Sequence, residues 1–134
     1  MEKITINKPK TTDKITIAVY RYQDGVKGRQ SLTTTGVIAY PIAIHRLLNE
    51  QEAIDKGERK RYGKEWSITH IPTGLSFGIS ERWERINYVA ENIADHPALL
   101  MISNETMQSH PMYQDLTKTF ERLKREMRSN FPSR

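Results

Sequence analysis

The chain has 134 residues and no cysteine, and 21 Lys plus Arg stand against 16 Asp plus Glu for a net charge of +5. That length makes one domain, 1–134, with a core that needs no staple, and the lack of cysteine excludes disulfides, thiolate catalysis and cysteine-ligated zinc. The start, MEKITINKPK, has no apolar leader and no run approaches 18 apolar residues, so a soluble, cytoplasmic protein with no membrane partner is expected.

Residues 3–7 and 14–22 alternate well, Ile15, Ile17 and Val19 opposing Thr16, Ala18, Tyr20 and Tyr22, and both predict strands. Asp24-Gly25 and Gly28 mark a loop. From Arg29 to about Arg46 the chain is β-branched and aromatic, with Ile38, Tyr40, Ile42 and Ile44 on one side. Pro41 cannot donate to a ladder, which leaves an edge strand, a bent strand, or a strand ending at Tyr40 with a helix starting at Pro41; a bent edge strand is the preferred reading. Residues 49–65 are polar and charged and predict a long basic loop.

The clearest local signal is Trp66 to Ile79, WSITHIPTGLSFGI, which reads as one β-hairpin. Pro72 presets φ for a turn and Gly74 supplies the left-handed conformation that closes it. Pairing His70 with Leu75 puts Trp66, Ile68, His70, Leu75, Phe77 and Ile79 on one face and Ser67, Thr69, Ser76 and Gly78 on the other.

Beyond the hairpin, Ser80 is a good N-cap and Glu81 suits a first helical turn. Trp83, Ile86, Ala90, Ile93 and Ala94 then recur at helical spacing in a helix that ends before Pro97. The apolar run Ala98–Ile102 is too short to type by periodicity, so 97–111 stays unassigned. A last helix from about Met112 to Arg128 carries Tyr113, Leu116, Phe120, Leu123 and Met127 in a narrow a/d seam. Such a seam either docks on the sheet or pairs with a second copy as a homodimer; two heptads do not separate the two. The fold class is therefore α+β: an antiparallel sheet of four to six strands with two C-terminal helices packed on one face.

Several patterns bear on chemistry. Gly74-Leu75-Ser76-Phe77-Gly78 matches the G-x-S-x-G elbow of serine hydrolases, with Asp95 and His96 or His110 following in hydrolase order. An elbow, however, is a strained strand-to-helix turn in a large α/β sheet, and here the pattern lies inside a hairpin strand. His45, His70, His96 and His110 have no ligand spacing. His70, on the apolar face, reads as a buried, hydrogen-bonded imidazole rather than a ligand or base. No phosphate-loop or dinucleotide fingerprint is present, and no metal or cofactor is expected.

The basic residues are the stronger lead. Lys56, Arg59, Lys60, Arg61 and Lys64 surround Tyr62, and Tyr20 and Tyr22 flank Arg21. Cations interleaved with stackable rings suit single-stranded nucleic acid, because cations track phosphates while aromatics stack bases. Lys118, Arg122 and Arg125 add a basic face on the last helix. Glu58 and Glu65 dilute the loop, and Glu121 and Glu126 pair along the helix, as on an ordinary solvated face.

The stretch Trp66-x-Ile-Thr-His-Ile-Pro-Thr-Gly74, preceded by Ala43-Ile44-His45-Arg46, resembles a hairpin motif of small bacteriophage proteins over about a third of the chain. The resemblance implies a phage or prophage origin and action in a bacterial cytoplasm; it carries over no functional residue. The expected function is a non-enzymatic, single-stranded nucleic-acid-binding protein acting through Arg21, Arg59, Lys60, Arg61, Tyr62, Lys64, Lys118, Arg122 and Arg125. The alternative is a phage-type inhibitor of a host or defence protein, the same charges meeting an acidic surface.

Overall fold

A computed structural model describes residues 4–10, 12–23, 26–46, 65–103 and 109–132. Strands β1 (Lys14–Gln23), β2 (Val26–Ala39), β3 (Ile42–Arg46), β4 (Trp66–His70) and β5 (Leu75–Glu81) form an antiparallel sheet in sequential order. Three helices follow: α1 (Trp83–Ile93), the single turn α2 (Ala98–Met101) and α3 (Tyr113–Asn130). This is the α+β architecture the residue patterns predict, with α2 filling part of the unassigned 97–111 stretch.

The Trp66–Ile79 hairpin has its expected register at the turn, His70 opposite Leu75 across 71–74, but an irregularity between Ser67 and Thr69 shifts it by two, so that Trp66 meets Glu81 rather than Ile79. Gly74 has φ 74°, and Gly78, at φ 78°, lies in the irregular part of β5 where the register with β4 shifts.

Four local expectations are corrected. Residues 4–10 form no strand, because the arm is tied to a helix instead: the Ile6 N–H donates to the Glu91 carboxylate of α1 at 2.7 Å. Gly28 lies within β2 opposite Arg21, and Asp24 and Gly25 lie outside the described residues. Pro41 does not bend one continuous strand. Ala39 pairs with Ile42, so the chain reverses at Tyr40 and Pro41, whose peptide bond is cis. That reversal reassigns the faces: Ile42 and Ile44 are fully buried, whereas Ile38 and Tyr40 are 49% and 65% exposed. Finally, Ser80 does not cap α1. Trp66 pairs with Glu81, so β5 extends past Ser80, the helix starts at Trp83 behind Arg82, and Ser80 Oγ donates to Glu65 instead.

One face of the sheet carries Ile42, Ile44, Trp66 and Ile68, which pack against Ile86, Val89, Ala90 and Ile93 of α1, Leu99 of α2, and Leu123 and Met127 of α3. On the other face β1 and the first half of β2 fold back over β3. Ile17 and Val19, with Ile15, Leu32 and Ile71, pack there on Ala43, and Arg29 reaches the Ile71 carbonyl at 2.9 Å. Both faces of β4 are consequently buried, including Ser67 and Thr69. Gly36 sits at this fold-back, where a Cβ would stand 2.6 Å from the Ile44 carbonyl oxygen and 2.7 Å from Ile15 Cδ1.

Of the hydrophobic residues expected inside, Ile17, Val19, Ile68, Ile86 and Ile93 are buried, while Ile15, Leu75, Phe77, Trp83 and Phe120 are half-buried around them. The α3 seam on which a homodimer would rest is turned inward on its own chain: Leu123 and Met127 are 1% exposed, and Phe120 meets Phe77 edge-to-face at 5.4 Å.

Candidate functional site

His70 stands at the end of β4, where the Pro72–Gly74 turn brings Thr73 back over it and α2 closes from the helical layer. Its Nε2 lies 2.6 Å from the Leu99 carbonyl oxygen and its Nδ1 2.8 Å from Thr73 Oγ1. A carbonyl only accepts, so in the neutral ring Nε2 carries the proton and Nδ1 accepts from the Thr73 hydroxyl. Burial pushes the His70 pKa down, the Leu99 hydrogen bond opposing it. The imidazole is a satisfied internal group, as its position in the hairpin predicts.

Beside it opens a cavity of about 320 Å³ between β5, α2 and the first turns of α3. Leu75, Phe77, Leu99, Leu116 and Phe120 make most of its wall, and no charged residue lines it. Its polar groups are largely committed, Thr117 Oγ1 donating to the Tyr113 carbonyl at 2.9 Å and Thr73 serving His70. Leu100 and Met101, 67% and 54% exposed, extend the apolar surface along α2.

His45 is the mirror case on the opposite face of the sheet. Its Nδ1–H donates to the Arg46 carbonyl at 2.7 Å and its Nε2 accepts from Thr69 Oγ1 at 2.7 Å. Burial lowers its pKa too, against the Arg46 hydrogen bond. Ser76, the serine of the G-x-S-x-G pattern, is exposed on β5; its Oγ accepts the Gly78 N–H at 3.0 Å and faces Ser67 Oγ at 3.5 Å. His96 is engaged with Asp115 at 2.8 Å, and His110 Nδ1 accepts the Met112 N–H, so the elements of the pattern are spent separately. Among the described residues no group of three His, Asp or Glu is placed to hold a metal ion.

Of the cationic residues singled out in the sequence, Lys118, Arg122 and Arg125 lie exposed on α3. At 100° per residue they fall within one narrow arc opposite the Leu116–Phe120–Leu123–Met127 stripe, spaced by about 6 and 4.5 Å along the axis. Arg122 touches Glu126 at 3.5 Å, and Glu121 flanks the ridge with its carboxyl pulled below the ordinary range, first by the Lys124 hydrogen bond. Arg21 is a β1 position paired with Gly28. Arg59, Lys60, Arg61, Tyr62 and Lys64 lie outside the described residues.

The cavity was only half legible in advance. His70, Leu75 and Phe77 follow from the hairpin register and Leu116 and Phe120 from the α3 seam, but Leu99 and Ile102 belong to the ALLMI run that periodicity does not type. Among the described residues no helix is long and apolar enough to cross a membrane. Comparison with known proteins finds no matching family model, no matching curated protein and no matching solved structure.

Proposed function

We propose that the protein is a small, basic, non-enzymatic binding protein for single-stranded DNA or RNA, of phage type and acting in a bacterial cytoplasm without a cofactor. The observation that carries the reading is the Lys118–Arg122–Arg125 ridge. It points to solvent because the opposite side of α3 is committed to the core, so a polyanion can meet it without unfolding anything, in competition with the Arg122–Glu126 ion pair. A net charge of +5 draws such a partner at long range. In this reading Arg21, Arg59, Lys60, Arg61, Tyr62 and Lys64 extend the contact, cations to phosphates and Tyr62 to a base. Fluorescence anisotropy with labelled single-stranded oligonucleotides tests it: binding tighter than about 10⁻⁴ M at low salt, weakened when Lys118, Arg122 and Arg125 are changed together to Ala, is expected.

The second reading, an inhibitor that clamps a host or defence protein, draws on a different observation. The uncharged cavity and the exposed Leu100 and Met101 beside it form an apolar surface of the kind protein partners cover. A pull-down from nuclease-treated bacterial lysate separates the readings. One host protein retained, lost on Leu100→Asp with Met101→Asp, together with indifference to oligonucleotides, favours the inhibitor.

A further inference from the structure

A second basic surface is built from residues other than the Lys118–Arg122–Arg125 ridge of α3. An open groove of about 590 Å³ runs between the N-terminal arm, with Lys8 and Pro9, and the start of the sheet, with Lys14 and the Gly36–Ile38 stretch of β2. β1 begins opposite Thr35, so beyond that pair β2 has β3 on one side only and the arm faces its other edge. Hydrogen bonds hold the arm in place at both ends. Ile6 is tied to Glu91 of α1, and the Asp13 carbonyl accepts the Gly36 N–H at 3.0 Å. The groove wall is thus preformed rather than assembled by a ligand.

Its chemistry is that of a polyanion track with an apolar floor. Lys8 and Lys14 are exposed on the lining, and Lys10 is exposed close by on the arm. The acid lining the groove, Asp13, has Oδ2 engaged by the Lys10 N–H at 2.8 Å. Lys14 Nζ lies 3.2 Å from Thr35 Oγ1, which positions the ammonium without neutralising it. Ile38 is 49% exposed on the floor, and Tyr40, 65% exposed, follows two residues later in the reversal that ends β2. Of the four large apolar side chains that the described residues leave exposed, two lie at this edge. Cations beside an exposed aromatic ring are what a single strand needs, phosphates on one side and a base face on the other.

We infer that this groove is a single-stranded nucleic-acid subsite, Lys8 and Lys14 contacting successive phosphates and Tyr40 stacking a base, with Ile38 covering the sugar–base edge. The inference rests on the nucleic-acid reading of the protein and adds a site to it. The test is anisotropy with labelled dT12 and rU12 on four proteins: wild type, Lys8→Ala with Lys14→Ala, Tyr40→Ala, and the α3 triple variant. The double lysine variant should bind several-fold more weakly and flatten the log–log salt slope by about 1.4, since each phosphate contact on a single strand contributes about 0.7. Tyr40→Ala should weaken binding about fivefold or more with an unchanged slope, because stacking releases no counterion. The dT12 and rU12 arms identify which strand is preferred. Crosslinking of a 5-iodouracil oligonucleotide to wild-type protein, mapped to Tyr40, gives a readout independent of how the variants fold. If the oligonucleotide binds, the α3 variant weakens it, and the groove variants match wild type with no crosslink at Tyr40, the subsite is wrong and the nucleic-acid reading stands. Failure of wild type to bind either oligonucleotide overturns both.

Discussion

Gly36 tests the close approach of β2 to β3 where β1 begins to fold back over the sheet. An Ala Cβ there meets the Ile44 carbonyl oxygen at 2.6 Å, Ile15 Cδ1 at 2.7 Å and His45 Cβ at 2.9 Å, all closer than real Cβ atoms come. Ile15 can rotate, but the Ile44 oxygen belongs to the β2–β3 pairing and moves only if the strands part. Overpacking of this kind costs about 1–3 kcal/mol, offset by about 0.4–1 kcal/mol from the stiffer unfolded chain. A net loss of about 0–2.6 kcal/mol follows, centred near a fall of roughly 0.6 M in the urea midpoint at a slope of about 2 kcal/mol/M. Gly28→Ala is the internal control. It lies on the same strand with nothing within 4 Å of the added carbon and no left-handed φ, so it should be neutral or slightly stabilising. Urea unfolding followed by tryptophan fluorescence measures both. A Gly36→Ala midpoint equal to or above that of Gly28→Ala at unchanged slope would mean that β2 does not approach β3 at Gly36 as closely as described.

His45 and His70 are both buried with their pKa values lowered, so across the window below about pH 6.5 the unfolded chain binds more protons than the native one. Stability therefore rises with pH there and is lost on acidification from about 6.5 downward, by up to about 1.4 kcal/mol per pH unit for each group; urea midpoints equal at pH 7.5 and 5.5 would contradict this. Leu123→Ala should cost about 2–5 kcal/mol because the side chain is 1% exposed within the chain's own core, and thermal melting reads the loss. Leu123→Glu should unfold the protein outright. A folded Leu123→Glu monomer arising from a wild-type dimer in sedimentation would restore the seam to an intermolecular role.

What could be read from the residues was whatever local chemistry decides. The Trp66–Ile79 hairpin carries its alternation, its Pro72 and its Gly74 within one stretch, so the turn, the His70–Leu75 pairing and the inward position of His70 follow without tertiary information, whereas the bulge that shifts the far end of the hairpin does not. The 83–93 helix and the α3 seam are likewise periodic enough to type. Expectations failed where two local signals compete and a distant contact decides. Pro41 is compatible with a bend, a helix start or a reversal, and only the pairing of Ala39 with Ile42 selects the last, moving Ile38 and Tyr40 to the surface. Ser80 is a sound cap in isolation, yet pairing of Glu81 with Trp66 keeps the chain extended past it. The fold-back over Ala43 leaves no periodic trace, because Ser67 and Thr69 look like solvent-facing strand residues and are buried by a ribbon from elsewhere in the chain. The candidate interface divides the same way: helical spacing gathers Lys118, Arg122 and Arg125, whereas Lys8 and Lys14 reach one groove only through the arm, and Tyr40 is exposed only through the reversal at Pro41.

Salt dependence separates nucleic-acid binding from every competing role of the same charges. Titrating a labelled single-stranded oligonucleotide at 50 and 200 mM salt should give an affinity that falls log-linearly, because each neutralised phosphate releases counterion. Changing Lys118, Arg122 and Arg125 together to Ala should weaken binding and flatten that slope by about 2, at about 0.7 per contact on a single strand. Absence of binding tighter than about 10⁻⁴ M at the lower salt, or an affinity and slope that the triple variant leaves unchanged, would contradict nucleic-acid binding through this helix.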